Sequence, residues 1–169
     1  MSKIVSKGHP ALDTIAREIT QEEIGTPWLN EIINTMRVEL ASQDDGVAIA
    51  APQIGESIRL FVVSPTAFHK NTQKYQTVYI NPRILKVSKE KEYMLEGCLS
   101  VRWLYGDVER SKQIMIESLD EFGTRHVKGA SGLMSQIFQH EIDHLNGIIF
   151  DSKAIDLRDL PPESVQEIR

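Results

Sequence analysis

His140 and His144 stand four residues apart, with Glu141 directly after the first, in the run Gln139-His140-Glu141-Ile142-Asp143-His144-Leu145. On a helix, residues at that spacing share a face. Both imidazoles can then close on one metal ion while Glu141 sits beside it as a proton carrier. The chemistry is hydrolytic: a metal makes water acidic enough to be partly hydroxide near neutral pH, and a neighbouring carboxylate takes the proton. The competing reading of the same residues is a solvated polar face on an amphipathic helix. Against it, Leu133 and Ile137 precede His140 on the same general face, so the imidazoles run along the apolar stripe, and a buried imidazole pair needs a partner.

Two histidines leave a catalytic metal short of its usual three protein ligands. Cys98, the only cysteine of the chain, is the best candidate for the third. It lies in Glu96-Gly97-Cys98-Leu99-Ser100, where glycine allows close approach of backbone and metal. Its alternative role is that of a small buried hydrophobe.

The elements that must carry these residues can be read from periodicity. Thr26-Pro27 is an N-cap followed by proline at the first helical position, and Trp28, Leu29, Ile32, Ile33, Met36 and Leu40 recur at helical spacing, giving a helix over 27–42. Asp44-Asp45-Gly46 stops it, and 47–51 is a small apolar run that suits a buried strand. Further strands are expected at 59–64, 77–81, 84–87 and 113–119. The turn Asp120-Glu121-Phe122-Gly123 leads into another at 124–128. From 131 the period returns to helical through Leu133, Met134, Ile137, Phe138, Ile142 and Leu145, and Asn146-Gly147 ends that helix. Helix, many short strands, helix is the order of an α+β domain with a helix packed on antiparallel sheet. The first 25 residues read as a polar, irregular arm with one short helical turn near Pro10 and no expected part in function.

At 169 residues and 41% hydrophobic composition, the chain fits a single domain over 1–169 that buries roughly 70% of its unfolded surface. A lone thiol forms no intrachain disulfide and fits a reducing compartment. A net charge of −5, with no sizeable basic cluster, argues against a nucleic-acid partner. No apolar run approaches the ~20 residues needed to cross a bilayer, and Asp13 and Glu18 interrupt the first 20 residues. The expectation is a cytoplasmic protein without a membrane partner, and a monomer.

Three separated stretches together resemble the peptide deformylase family: Gly46-Val47-Ala48-Ile49-Ala50-Ala51-Pro52-Gln53, Glu96-Gly97-Cys98-Leu99-Ser100 and Gln139-His140-Glu141-Ile142-Asp143-His144. Ile80-Asn81-Pro82 and Gly106-Asp107-Val108-Glu109-Arg110 fit the pattern as well. The resemblance implies antiparallel sheets around a central helix bearing the two histidines. It also implies one divalent metal per chain held by Cys98, His140 and His144, Fe(II) in the cell, with Zn(II) or Ni(II) in the purified protein. The implied reaction removes the formyl group from the N-terminal formylmethionine of newly made polypeptides, with the ribosome exit as the place of encounter. Glu141 is then the general base, and the Gln53 side-chain amide and the Leu99 backbone N–H steady the oxygen of the tetrahedral carbon. The peptide would run along Gly46, Val47, Ala48 and Gly97, its methionine side chain among Val47, Met94, Leu133, Ile137 and the His140 ring.

The chain departs from the family pattern at four places. Ala48 stands where glycine is usual, Arg102 and Trp103 follow Ser100-Val101 where proline is usual, and Gln136 is polar near the methionine pocket. Trp103 and Tyr105 either cap the site or pack on the sheet. Two rival functions stay open on the sequence: a metallopeptidase, from the HExxH pattern alone, and a deformylase scaffold that binds formyl peptides without hydrolysing them. After Asp151 the tail is short and acidic, contains Pro161-Pro162, and lacks a long basic helix.

Overall fold

The computed structural model describes residues 2–68 and 76–160. Helix α1 spans Pro27–Ala41; Thr26 caps it by accepting a hydrogen bond from the Leu29 amide, as the Thr-Pro start implies. Strand β1, Ala48–Ala50, runs straight into a 3-10 turn over Ala51–Ile54. Strands β2 (Leu60–Val63), β3 (Val78–Val87), β4 (Lys91–Cys98), β5 (Val101–Ser111), β6 (Gln113–Leu119) and β7 (Arg125–Ser131) follow. Helix α2 covers Gly132–Leu145, and strand β8 covers Ile155–Asp159.

The strands form two antiparallel sheets, one of five in the order β1-β2-β3-β6-β7 and one of three in the order β4-β5-β8. The apolar run Leu60-Phe61-Val62-Val63 is buried on both faces because the larger sheet lies between the two helices. Leu60 and Val62 pack with Leu29, Ile33 and Met36 of α1, while Phe61 and Val63 pack with Ile137, Phe138 and Ile142 of α2. Phe61 stacks on Tyr79 with ring centroids 4.6 Å apart, and Phe138 meets Tyr79 edge-on at 5.1 Å. A third, smaller cluster of Leu12, Val108, Ile149 and Phe150 joins the N-terminal arm to β5 and the segment after α2.

Several expectations need correction. The strands expected at 77–81 and 84–87 are one continuous β3; Pro82 falls where the pairing with β6 shifts register, so its missing N–H breaks no ladder bond that would divide the strand. Strands β4, β5 and β8 escaped the sequence reading, since β4 and β8 carry mostly exposed residues and lack a clean alternation. The tail thus contributes strand β8, while Pro161-Pro162 lies outside the described residues. The N-terminal arm is built into the structure: Val5 donates its amide to Gln53 O at 2.8 Å, Lys7 to Ser100 O at 3.0 Å and Ala16 to Leu145 O at 2.9 Å. It therefore touches all three of the stretches that carry the chemistry or adjoins them.

No helix among the described residues is long and apolar enough to cross a membrane. Phe138 is the aromatic plug between α2 and the sheet, so Phe138→Ala should lower unfolding free energy by about 3–5 kcal/mol in urea titrations followed by circular dichroism.

Candidate active site

Helix α2 presents His140, Glu141 and His144 toward the end of β4, where Cys98 lies. The Cys98 Sγ to His144 Nε2 distance is 3.3 Å, and the ligand atoms of Cys98, His140 and His144 all lie within 4.8 Å of one another. That spacing and donor set, one sulfur and two imidazole nitrogens, suit a tetrahedral divalent ion with one position open. Burial raises the pKa of Cys98, but the adjoining imidazoles of His144 and His140 outweigh it and bring the thiol down to about 5. The sulfur is therefore disposed to be anionic, as a ligand must be.

Glu141 Oε2 and His144 Nδ1 are buried without a hydrogen bond. Burial raises the pKa of Glu141, and the two imidazoles only partly offset it, a suitable poise for a group that must accept and release a proton.

The tie between strand and helix is ionic. Glu96 and Cys98 share a face of β4 because side chains on a strand alternate. Glu96 Oε1 lies 2.8 Å from His140 Nδ1, which leaves Nε2 as the nitrogen free to ligate. Arg110 of β5 forks onto Glu96 through Nε at 2.6 Å and Nη2 at 2.7 Å, and its Nη1 reaches Asp143 of α2 at 2.7 Å. Burial would raise the Glu96 carboxyl, but hydrogen bonds from Arg110 and His140 dominate and hold it at about 2. Gln139 fastens the same helix to the end of β5, exchanging hydrogen bonds with the Ser111 amide at 3.0 Å and carbonyl at 2.9 Å.

Gln53 sits in the 3-10 turn after β1 and is buried. Its Oε1 accepts from the Ala50 amide at 2.8 Å, which fixes the orientation of the amide and aims Nε2 at Cys98 Sγ, 3.4 Å away, and at Ser100 Oγ, 3.3 Å away. A cleft of about 670 Å³ opens over this group. Gly46, Val47, Ala48, Gly97, Leu99, Leu133 and Ile137 all line it, together with Gln53, Cys98, His140 and Glu141.

Met94 is not among the residues lining the cleft; it sits on the same face of β4 two residues before Glu96, farther from the cysteine end, and Leu95 lines the cleft instead. Leu133 is 41% exposed into the opening and is no core residue, whereas Ile137 serves both core and cleft. Gln136 also lines the cleft, its Nε2 donating to Leu95 O at 2.9 Å. Gly97 is required for a reason other than the one expected: a Cβ there would stand 2.5 Å from the Tyr105 ring. Tyr105 thus covers the strand and borders the cleft at once.

The family model for polypeptide deformylase matches residues 1–159. The chain belongs to that family. A peptide deformylase of Carboxydothermus hydrogenoformans is 41% identical over 152 residues, covering 90% of this chain and 92% of that one. One from Christiangramia forsetii is 34% identical, covering 92% and 82%. Among solved structures, the Met-Ala-Ser-bound class I type b peptide deformylase of Acinetobacter baumannii superposes with a TM-score of 0.79 at 32% identity, over 89% of this chain and 96% of that one. The Thermotoga maritima enzyme gives 0.80 at 32% identity, over 92% and 98%. Deformylases hydrolyse the formyl group from N-formyl-Met peptides, and this is the activity of the chain; the metallopeptidase and binding-only alternatives fall away.

Glu96, Arg110 and Asp143 were not assigned roles from sequence, though a carboxylate two residues before Cys98 on a strand was a signal that it shares the cysteine's face. Arg110→Leu would leave the buried Glu96 carboxylate with only the His140 ring as partner and would cut its link to Asp143, which keeps Lys153. It should cost about 3–5 kcal/mol of stability in denaturant titration; a loss under 1 kcal/mol would mean the pair is not the tie described.

Proposed function

We propose that Cys98, His140 and His144 hold one divalent metal ion, Fe(II) in the cell and Zn(II) or Ni(II) as substitutes, and that Glu141 is the general base for deformylation. The reading is carried by one observation: three ligand atoms within 4.8 Å of one another beside a buried glutamate oxygen that has no other partner. Thiolate and imidazole suit iron and zinc alike, so the choice of iron follows the family pattern rather than ligand softness. In this reading α2 is the central metal-binding helix of a single catalytic domain.

A divalent ion so held supplies Lewis acidity, acidifying water and polarising the formyl carbonyl. Glu141 takes the proton of the attacking water at its free Oε2 and passes it to the nitrogen of the departing peptide. Gln53 Nε2 and the Leu99 amide donate to the formyl oxygen as it gains charge. Gln53 is preset for this, since the Ala50 amide already holds its other end; such a donor is worth about 10²–10³ in kcat. The peptide backbone lies between Gly46-Val47-Ala48 and Gly97, and its first side chain enters beside Leu133, Ile137 and the His140 ring. Gln136 gives that pocket one polar wall. The natural substrates are nascent formyl-Met chains met near the ribosome exit, by a cytoplasmic monomer.

The test is formate release from formyl-Met-Ala-Ser by protein loaded anaerobically with Fe(II) or Ni(II). Turnover is expected, and Glu141→Ala should still bind one metal per chain while losing at least about 10²-fold in rate. Retained turnover in that variant would contradict the assignment of the base.

A further inference from the structure

We infer that Arg102 and Asp45 form a strap across the mouth of the cleft that receives the second and third residues of the peptide, and so sets substrate preference beyond the formylated methionine. The inference rests on the path given to the peptide under Proposed function. In the β4–β5 ladder, Gly97 pairs with Tyr105 and Cys98 with Val101, so Arg102, Trp103 and Leu104 pass without a partner on β4. This bulge begins four residues after a proposed metal ligand and lines the cleft.

From it, Arg102 reaches across to the segment after α1. Its Nη1 donates to Asp45 Oδ1 at 3.0 Å and Oδ2 at 2.7 Å, and its Nη2 to Gln43 Oε1 at 2.7 Å. The Trp103 ring lies under the guanidinium, 4.5 Å from its carbon to the ring centroid. Asp45 immediately precedes Gly46-Val47, and Arg102 follows Cys98 by four residues. The ion pair therefore joins the two segments between which the peptide backbone runs.

Both side chains are about one-quarter exposed, at 26% for Arg102 and 22% for Asp45, so the pair is neither a core tie nor a free surface contact. Arg102 turns the Nη1 and Nη2 ends of its guanidinium to Asp45 and Gln43. It is thus set to hold the walls at a fixed separation and to offer the Trp103 stack as a surface, rather than to recruit an acidic side chain. A cleft whose walls are already tied together spares the peptide the cost of ordering them. The residues placed around the methionine side chain, Leu133, Ile137 and His140, belong to α2 and take no part in the hydrogen bonds of the strap.

Steady-state kinetics on metal-loaded enzyme test this, comparing formyl-Met amide with formyl-Met-Ala-Ser for the wild type, Asp45→Asn, Arg102→Gln and the double variant. The expected result is a KM for the longer peptide raised up to about fivefold at unchanged kcat, the scale of a partly exposed ion pair. The short substrate should be unaffected, and the double variant should be no worse than either single one, because the two residues act as a unit. Equal losses on both substrates would mark a merely structural pair; additive losses, no loss, or a fall in KM would equally overturn the strap. Turnover of both peptides by the wild type checks the underlying reading separately, since its absence would defeat that reading whatever the variants do.

Discussion

Glu96 is a buried carboxylate that must be neutralised, and the way it is neutralised sets the geometry of the rest. Arg110 meets it with a forked pair of hydrogen bonds, and His140 meets it from the other side. Because Arg110 also grips Asp143, one cation couples β4, β5 and α2. Those elements bear Cys98 and both histidines, so the spacing of the proposed ligands is a consequence of satisfying buried charge. Such a network costs desolvation and is retained where it fixes position; here it fixes a sulfur and two imidazoles that would otherwise have separate freedom.

Around this core the other elements act as supports. The larger sheet, wedged between α1 and α2, gives the histidine helix an apolar bed, and Gln139 anchors its middle to the end of β5. Arg59 donates to the Leu145 carbonyl at 3.1 Å, closing the helix C-terminus. The N-terminal arm ties Gln53 and Ser100 by their carbonyls and thereby clamps the first and second motifs together. The cleft is accordingly bordered by three distant parts of the sequence, each immobilised by backbone bonds or buried ions rather than by loop contacts alone.

Much of this was legible in the sequence where local rules apply. The Thr-Pro cap, the helical recurrence of Ile32, Ile33 and Met36, and the Asp120 turn, whose side chain accepts from the Phe122 and Thr124 amides at 2.9 Å, all act within a few residues. The approach of Cys98 to the two histidines was inferred from residue chemistry and family likeness, and the structure brings the three together. What escaped was non-local. Strands β4 and β8 carry mostly solvent-facing side chains and form because β5 pairs with them, which no periodicity announces. The arm looked idle because its part is played by backbone amides, which have no residue signature. Arg110 read only as one residue of a pattern, since its partners lie 14 and 33 residues away.

The central claim is that one thiolate and two imidazoles are brought together to bind a single ion. X-ray absorption on zinc-loaded protein tests it most directly. The account predicts one sulfur at about 2.3 Å and two nitrogens at about 2.0–2.1 Å, with a light-atom shell completing the site. The sulfur should vanish in Cys98→Ser. A shell of nitrogen and oxygen alone in the unaltered protein would contradict it.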